Sequence, residues 1–257
     1  MSDKSKALLN FSEVESKRFG LKVYRGSIED IKPSAIVDFT LQEGIDVAII
    51  RIPTEKNYCL EKLARTGLPY IVADALVYYQ VDLDSYQPNE LKNKDLEFVE
   101  ANLEHKEIID KIVAETFIGY KNHYSSNSLL DIDLIEAYKE WAQGYYSNKE
   151  KDKCAWLVRR KEHYIGFATC AFSGDVSEGV LYGILPGESG GGVYTDLIRF
   201  TQQFFKNKGY SIFKTSTQIN NYAVQKVWSR EGLFLKQSFL TIHINSLMSV
   251  SCIKKRL

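Results

Sequence analysis

Three consecutive glycines at the mouth of an amphipathic helix constrain this chain more than any other feature. An apolar strand expected over residues 180–185 stops at Pro186, and Gly187, Glu188 and Ser189 lead to Gly190, Gly191 and Gly192. Beyond them Val193, Leu197, Phe200 and Phe204 recur at helical spacing. That pattern predicts a helix over 194–208 with one apolar face against a sheet. A glycine run bends freely, and the first N–H groups of the helix have no partners within it. Those donors and the positive end of the helix dipole stabilise an anion. The loop is therefore expected to hold a ligand that carries phosphate. The alternative is an ordinary flexible turn, which would not require the clean apolar face that follows.

The rest of the pattern is α/β. Strands are expected over 21–28, 47–52 and 70–83, with helices over 34–43 and 58–66 between them, ended by Gly44 and Gly67. The polar stretch 84–95, with one proline and several turn formers, reads as a linker. A short strand is then expected over 97–101 and a helix over 106–117, with Ile108, Ile109, Ile112 and Val113 on one face. Asp131 is expected to cap a second helix through Ile135, Tyr138 and Trp141. A hairpin over 154–159 and 164–172 precedes the glycine loop. A strand over 211–217, a helix led by Asn220 and Asn221 and ended by Gly232, and a last strand over 234–244 complete the chain. This gives two expected domains, a smaller α/β domain over 1–95 and a larger one over 96–257.

The sequence has 257 residues, of which 44% are hydrophobic, enough for a sizeable core. Lysines plus arginines number 33 and so do aspartates plus glutamates, so no net basic field points to nucleic acid. No apolar run approaches the roughly 20 residues that cross a bilayer, and the first residues lack a signal-peptide core. The four cysteines are scattered without metal-ligand spacing. The expectation is a cytoplasmic protein with no metal, no nucleic-acid partner and no membrane association.

The element order from residue 96 onward, with a glycine loop after the fourth strand, resembles the Gcn5-related N-acetyltransferase (GNAT) superfamily. Two segments carry the resemblance. The family's diphosphate loop reads Gln/Arg-x-x-Gly-x-Gly/Ala, and Gly187 to Gly192 match both small positions, with Gly187 replacing the usual Gln or Arg. The family's later helix reads Asn-x-x-Ala-x-x-x-Tyr-x-x-x-Gly-Phe, where this chain has Asn221, Val224, Trp228, Gly232 and Leu233. The resemblance implies a GNAT fold, a central mixed sheet splayed between its fourth and fifth strands, preceded here by the smaller N-terminal α/β domain. It implies acyl-coenzyme A as co-substrate, with acetyl or a short hydroxyacyl group. The amides of Gly190, Gly191, Gly192, Val193 and Tyr194 would hold its diphosphate. Pantetheine would add along the strand edge at Gly183, Ile184 and Leu185, one of whose N–H groups would polarise the thioester carbonyl.

Asn221 would bond pantetheine or cap its helix. Trp228 stands where many relatives carry a tyrosine that protonates the departing thiolate. An indole N–H is no usable acid, so Trp228 is expected to pack on coenzyme A or in the core, and Tyr222 is a substitute donor.

The segment TQINNYAVQKVWSREG is similar to that of bacterial dTDP-amino-sugar N-acyltransferases of the dTDP-fucosamine acetyltransferase kind. That likeness implies a dTDP-linked amino-deoxy sugar as acceptor, for surface polysaccharide synthesis. Tyr120 and Tyr124 would stack on base or sugar, Lys121 would meet the diphosphate, and Thr217 and Gln218 would bond sugar hydroxyls. Arg159 would stand near the sheet edge. His123, in the same loop as Tyr124, is the candidate base for the amine. The competing acceptors are a protein N-terminus, an amino acid or an antibiotic; a different class altogether is an inactive acyl-coenzyme A-binding module. The aromatic strand expected over 70–83 is consistent with a homodimer.

Overall fold

The computed structural model describes residues 8–29, 32–130, 133–147 and 152–248. Its elements are β1 (Asn10–Phe11), α1 (Glu13–Phe19), β2 (Val23–Ser27), α2 (Pro33–Glu43), β3 (Val47–Pro53), α3 (Cys59–Ala64), β4 (Tyr70–Asp82), β5 (Leu96–Glu100), α4 (Lys106–Phe117), α5 (Ile135–Gln143), β6 (Lys153–Arg160), β7 (His163–Ser173), β8 (Val176–Ile184), α6 (Val193–Asn207), β9 (Ile212–Gln218), α7 (Tyr222–Arg230) and β10 (Phe234–Asn245). Helix α1 was not expected. Its short length and mixed composition give little period to read. The expected cap Asp131 lies outside the described residues; Asp133 accepts the Ile135 N–H at 2.9 Å.

The chain forms two compact units, and they do not divide at residue 95. Unit 1 takes Met1–Leu76, Lys121–Ile132 and Gln237–Leu257; unit 2 takes Val77–Tyr120 and Asp133–Lys236.

In unit 1 the strand order is β1-β2-β3-β10. β2 and β3 are parallel, and β10 runs antiparallel to β3 from Phe239 opposite Pro53 to Asn245 opposite Val47. Period-two alternation sorts the side chains. Ala48, Ile50, Ile52, Ile242 and Ile244 form one buried face with Ile36 of α2 and Leu63 of α3. Val23, Val47 and Ile49 form the other, covered by Leu129 and Leu130 and by Phe19 of α1. The last strand and the segment around Leu130 thus complete a sheet that the first 76 residues would leave half bare.

In unit 2 the order is β4-β9-β8-β7-β6-β5. Helix α6 buries Val193, Leu197, Ile198 and Phe205, as its period requires. Phe98 of β5 stacks on Phe200 of α6 at 4.1 Å, and Trp156 of β6 meets Phe204 edge-on at 4.6 Å. Within this unit the supposed linker is a strap clamped to α6. Asp196, fully buried in the first turn of α6, accepts the backbone N–H of Lys92 and of Asn93, each at 2.8 Å, and the Asn93 side-chain amide at 2.7 Å. Arg199 donates to the Glu90 carbonyl at 2.9 Å and forks onto Glu231 with two bonds of 2.8 Å. Tyr86 lies over Gly232, where a Cβ would come within 2.3 Å of its ring and where φ is 80°. A buried carboxylate is stable only when its lone pairs are filled, and the strap amides fill them. Asp196→Ala orphans the two strap N–H groups and takes one acceptor from the Asn93 amide, and is expected to cost about 3 kcal/mol of unfolding free energy. A change below about 1 kcal/mol in urea titration would contradict the clamp.

Candidate functional site

The site in unit 2 begins where two parallel strands part. β8 pairs with β9 from Val176 opposite Ile212 to Gly179 opposite Thr215. β8 continues to Ile184 and β9 to Gln218, and among the described residues their register goes no further. On its other edge β8 stays paired to β7, with Gly183 opposite Phe167 and Ile184 opposite Gly166. The Leu185 N–H donates to Ile165 at 2.9 Å. Antiparallel strands turn successive N–H groups to opposite sides, so the Ile184 N–H points away from β7, toward the opened edge. Of the three amides expected to face a thioester, Leu185 is therefore committed to the sheet, Gly183 shares its direction, and Ile184 alone can serve. Gly183 has a second reason to lack a side chain: a Cβ would lie 2.6 Å from Phe167 and 2.9 Å from Thr116.

The strand leads into a single 3-10 turn at Pro186–Glu188 and then into the glycines. Gly190 and Gly192 have φ of 89° and 87°, values that L side chains rarely adopt, and Gly192 caps α6 without a side chain. The bend is exposed, and a Cβ at Gly187, Gly190 or Gly191 would meet nothing within 4 Å. The first-turn N–H groups of a helix 15 residues long are thus open to an anion. An open strand edge running to an exposed, glycine-lined helix start has the shape to take an elongated thioester that carries a diphosphate.

The fold is that of the GCN5-related N-acetyltransferases. Solved structures similar to this chain include a GCN5-related N-acetyltransferase from Sphaerobacter thermophilus, with 12% identity over 77% of this chain and 58% of that one, at a TM-score of 0.59. Another, from Kribbella flavida, has 13% identity over 86% of this chain and 81% of that one, with the same TM-score. A glucosamine N-acetyltransferase region of a fungal multidomain GH3 β-N-acetylglucosaminidase has 11% identity over 92% of this chain and 30% of that one, also at 0.59. At these identities the likeness is one of fold. No family model matches the sequence, and no curated protein does.

The GNAT-fold wedge gathers only some of the expected residues. Tyr120 bonds Gln218 through their side chains, and Asn221 donates to the Thr217 hydroxyl at 3.0 Å. Asn221 occupies the N-cap position of α7 but makes no side-chain cap bond, so the plain capping role is not used. Trp228 is 2% exposed and donates its indole N–H to the Tyr194 hydroxyl at 3.1 Å. It is a core residue with no face left for a coenzyme, which corrects the packing role on coenzyme A. Tyr222 starts α7 and is 66% exposed. Val193 is 1% exposed, so only its amide can meet a ligand.

Other expected roles fall elsewhere. Arg159 pairs across the strands with Glu97 of β5, an exposed edge contact. Its neighbour Arg160 instead reaches Glu188 in the loop, and Asp95 at 2.9 Å. Alternation along β6 is the cause: Arg160 shares the face of Val158, whereas Arg159 lies on the opposite face beside Glu97. Lys92, held by the strap, also escaped sequence reading; its Nζ lies 3.9 Å from where a Cβ on Gly192 would stand. No local pattern marks a lysine that a buried carboxylate positions from a distance in sequence.

Lys121, His123 and Tyr124 belong to unit 1, whereas the glycine loop belongs to unit 2. Lys121 is exposed. Tyr124 bonds buried Glu15 through its hydroxyl and packs on Phe19 at 5.2 Å, so its ring serves the core rather than a sugar. His123 Nδ1 lies 2.9 Å from Nε2 of fully buried His243, and His243 Nδ1 lies 3.1 Å from the Asn127 amide. Burial, His243 and the guanidiniums of Arg25 and Arg51 hold His123 well below the usual imidazole range. A weakly basic ring already bonded to a second imidazole is a poor proton acceptor, which removes the reason for choosing it as base.

Proposed function

We propose that this protein transfers a short acyl group from acyl-coenzyme A to a primary amine. The opened edge of β8 beyond Gly179, ending in an exposed glycine turn at the start of α6, carries the reading. Loop amides of residues 190–194 hold the diphosphate, and the Ile184 N–H polarises the thioester carbonyl. The neutral amine attacks that carbonyl, the C–N bond forms as the C–S bond breaks, and the amine's proton ends on the sulfur. Proximity supplies much of the rate when no strong base is at hand.

The acceptor proposed is a nucleotide-linked amino-deoxy sugar of the dTDP kind. The likeness of the Thr217–Gln218 segment supports it, as does the amino-sugar acceptor of the fungal neighbour of the same fold. Release of coenzyme A thiol from acetyl-coenzyme A, measured with dTDP-amino sugars against glucosamine, amino acids and a peptide amine, tests both levels. Turnover with the dTDP sugar exceeding the others by tenfold or more is expected. Turnover with a peptide alone would change the acceptor, and no thiol with any amine would leave a binding module.

Trp228→Phe is expected to keep most of the turnover and to lower the melting midpoint by several degrees, through loss of the Tyr194 bond and a small cavity. Complete loss of turnover in a folded variant would return a catalytic role to the indole.

A further inference from the structure

We propose that unit 1 carries an anion site of its own, for the phosphate or diphosphate group of a small metabolite, in the cleft between Arg25 and Arg51. The cleft measures about 380 Å³, and its polar lining is Asn10, Ser12, Arg25, Ser27 and Arg51. No carboxylate is among the described residues that line it. Strands β2 and β3 are parallel here, with Arg25 opposite Ile49 and Ser27 opposite Arg51. Residues opposite one another share a face of the sheet, so both arginines and Ser27 rise from the same side. Ser27 ends β2, and Arg51 stands two residues before the end of β3. The carboxyl ends of adjacent parallel strands are where open α/β sheets take ligands.

The charges favour an anion. Arg25 gives one nitrogen to Glu15 at 3.2 Å, and its side chain stays 39% exposed. A guanidinium has five N–H donors, so this contact leaves part of the fork for a second anion. Glu15 is also bonded by the Tyr124 hydroxyl, which shares its charge. Burial above all, with the guanidiniums as smaller contributors, lowers the basicity of His123 and His243, so the imidazole pair stays neutral beside the arginines. Arg51 interacts with the Asp74 carboxyl, but each guanidinium has five N–H donors, more than one carboxylate takes, and with the hydroxyl and amide donors the pair suits a tetrahedral polyanion. The argument uses unit 1 alone and stands whether or not acyl transfer is the reaction.

Inorganic diphosphate is the probe, titrated calorimetrically into the full chain. Because the glycine loop would also take it, the Gly191→Glu protein is titrated in parallel. Saturable binding is expected in both. In the Gly191→Glu background, where the loop no longer competes, Arg51→Gln is expected to weaken it tenfold or more, and Arg25→Lys, which keeps a cation beside Glu15, at least threefold. Should Arg51→Gln fail to fold by circular dichroism, the Arg25→Lys result decides alone. Affinity within twofold of the Gly191→Glu protein in the folded arginine variants of that background would overturn the site, as would binding that vanishes with Gly191→Glu. Succinate is expected to bind at least fivefold more weakly than diphosphate; equal binding would overturn the assignment to phosphate. If the unsubstituted protein bound diphosphate but no coenzyme A, the acyl-transfer reading would sink and this one would stand.

Discussion

Gly191→Glu is expected to weaken coenzyme A binding about 100-fold while the protein remains folded. The position is open, with nothing within 4 Å of a Cβ, and its φ is not in the left-handed range. Neither clash nor backbone strain therefore accompanies the substitution, unlike at Gly190 or Gly192. A carboxylate just ahead of the N-cap Gly192 also suits the dipole, so α6 should not loosen. What remains is charge. A unit charge about 5 Å from a phosphate, at an effective dielectric near 20, costs roughly 3 kcal/mol, which is about 100-fold in affinity. Gly191→Ala carries the bulk without the charge and should change affinity less than about threefold, well under 1 kcal/mol. Calorimetric titration with coenzyme A distinguishes them. Equal affinities for the two variants would mean that the diphosphate lies elsewhere.

The second large effect is a loss of stability on mild acidification. His243 is fully buried, and desolvation, with Arg25 behind it, lowers its pKa to about 4. In the unfolded chain an imidazole titrates near 6.5. Between those values the unfolded state binds the proton and the folded state does not, so protons favour unfolding. The stabilisation is complete above about pH 6.5 and is lost as pH falls toward 4, by about 3 kcal/mol from this residue. His123 shifts in the same direction. Asp74 works against them, since burial raises its carboxyl and the folded state then holds the proton. Urea unfolding at pH 7 and pH 4.5 measures the net slope. In a His123→Gln/His243→Gln double variant the slope should largely disappear; an unchanged slope would assign it to carboxylates instead.

Local signals carried the GNAT-like core. The apolar period of α6, the glycine run and Pro186 mark a strand, a bend and a helix start in direct succession, and the structure has all three in place. Helix α4 spans Lys106–Phe117 as its apolar face predicts. Such features rest on contacts a few residues apart, where spacing and turn chemistry decide the outcome.

Contacts distant in sequence were not legible. The stretch 84–95 has the composition of a linker, yet Asp196 of α6 and Glu231 at the end of α7 hold it through bonds spanning more than 100 residues. The pattern of β10 showed a strand, but not that its second half pairs with β3 in unit 1. His123 looked like a free loop imidazole until β10 supplied His243.

The sequence by itself determined where the chain bends, which helix faces are apolar, and that one helix start is stripped of side chains. Only the tertiary structure decided that β8 and β9 part after Gly179, that Ile184 rather than Leu185 offers its amide, and that Trp228 lies in the core. The physical reason is that periodicity and turn chemistry are local properties of the backbone. Hydrogen-bond direction across strands, burial and charge pairing are set by neighbours that only folding brings together.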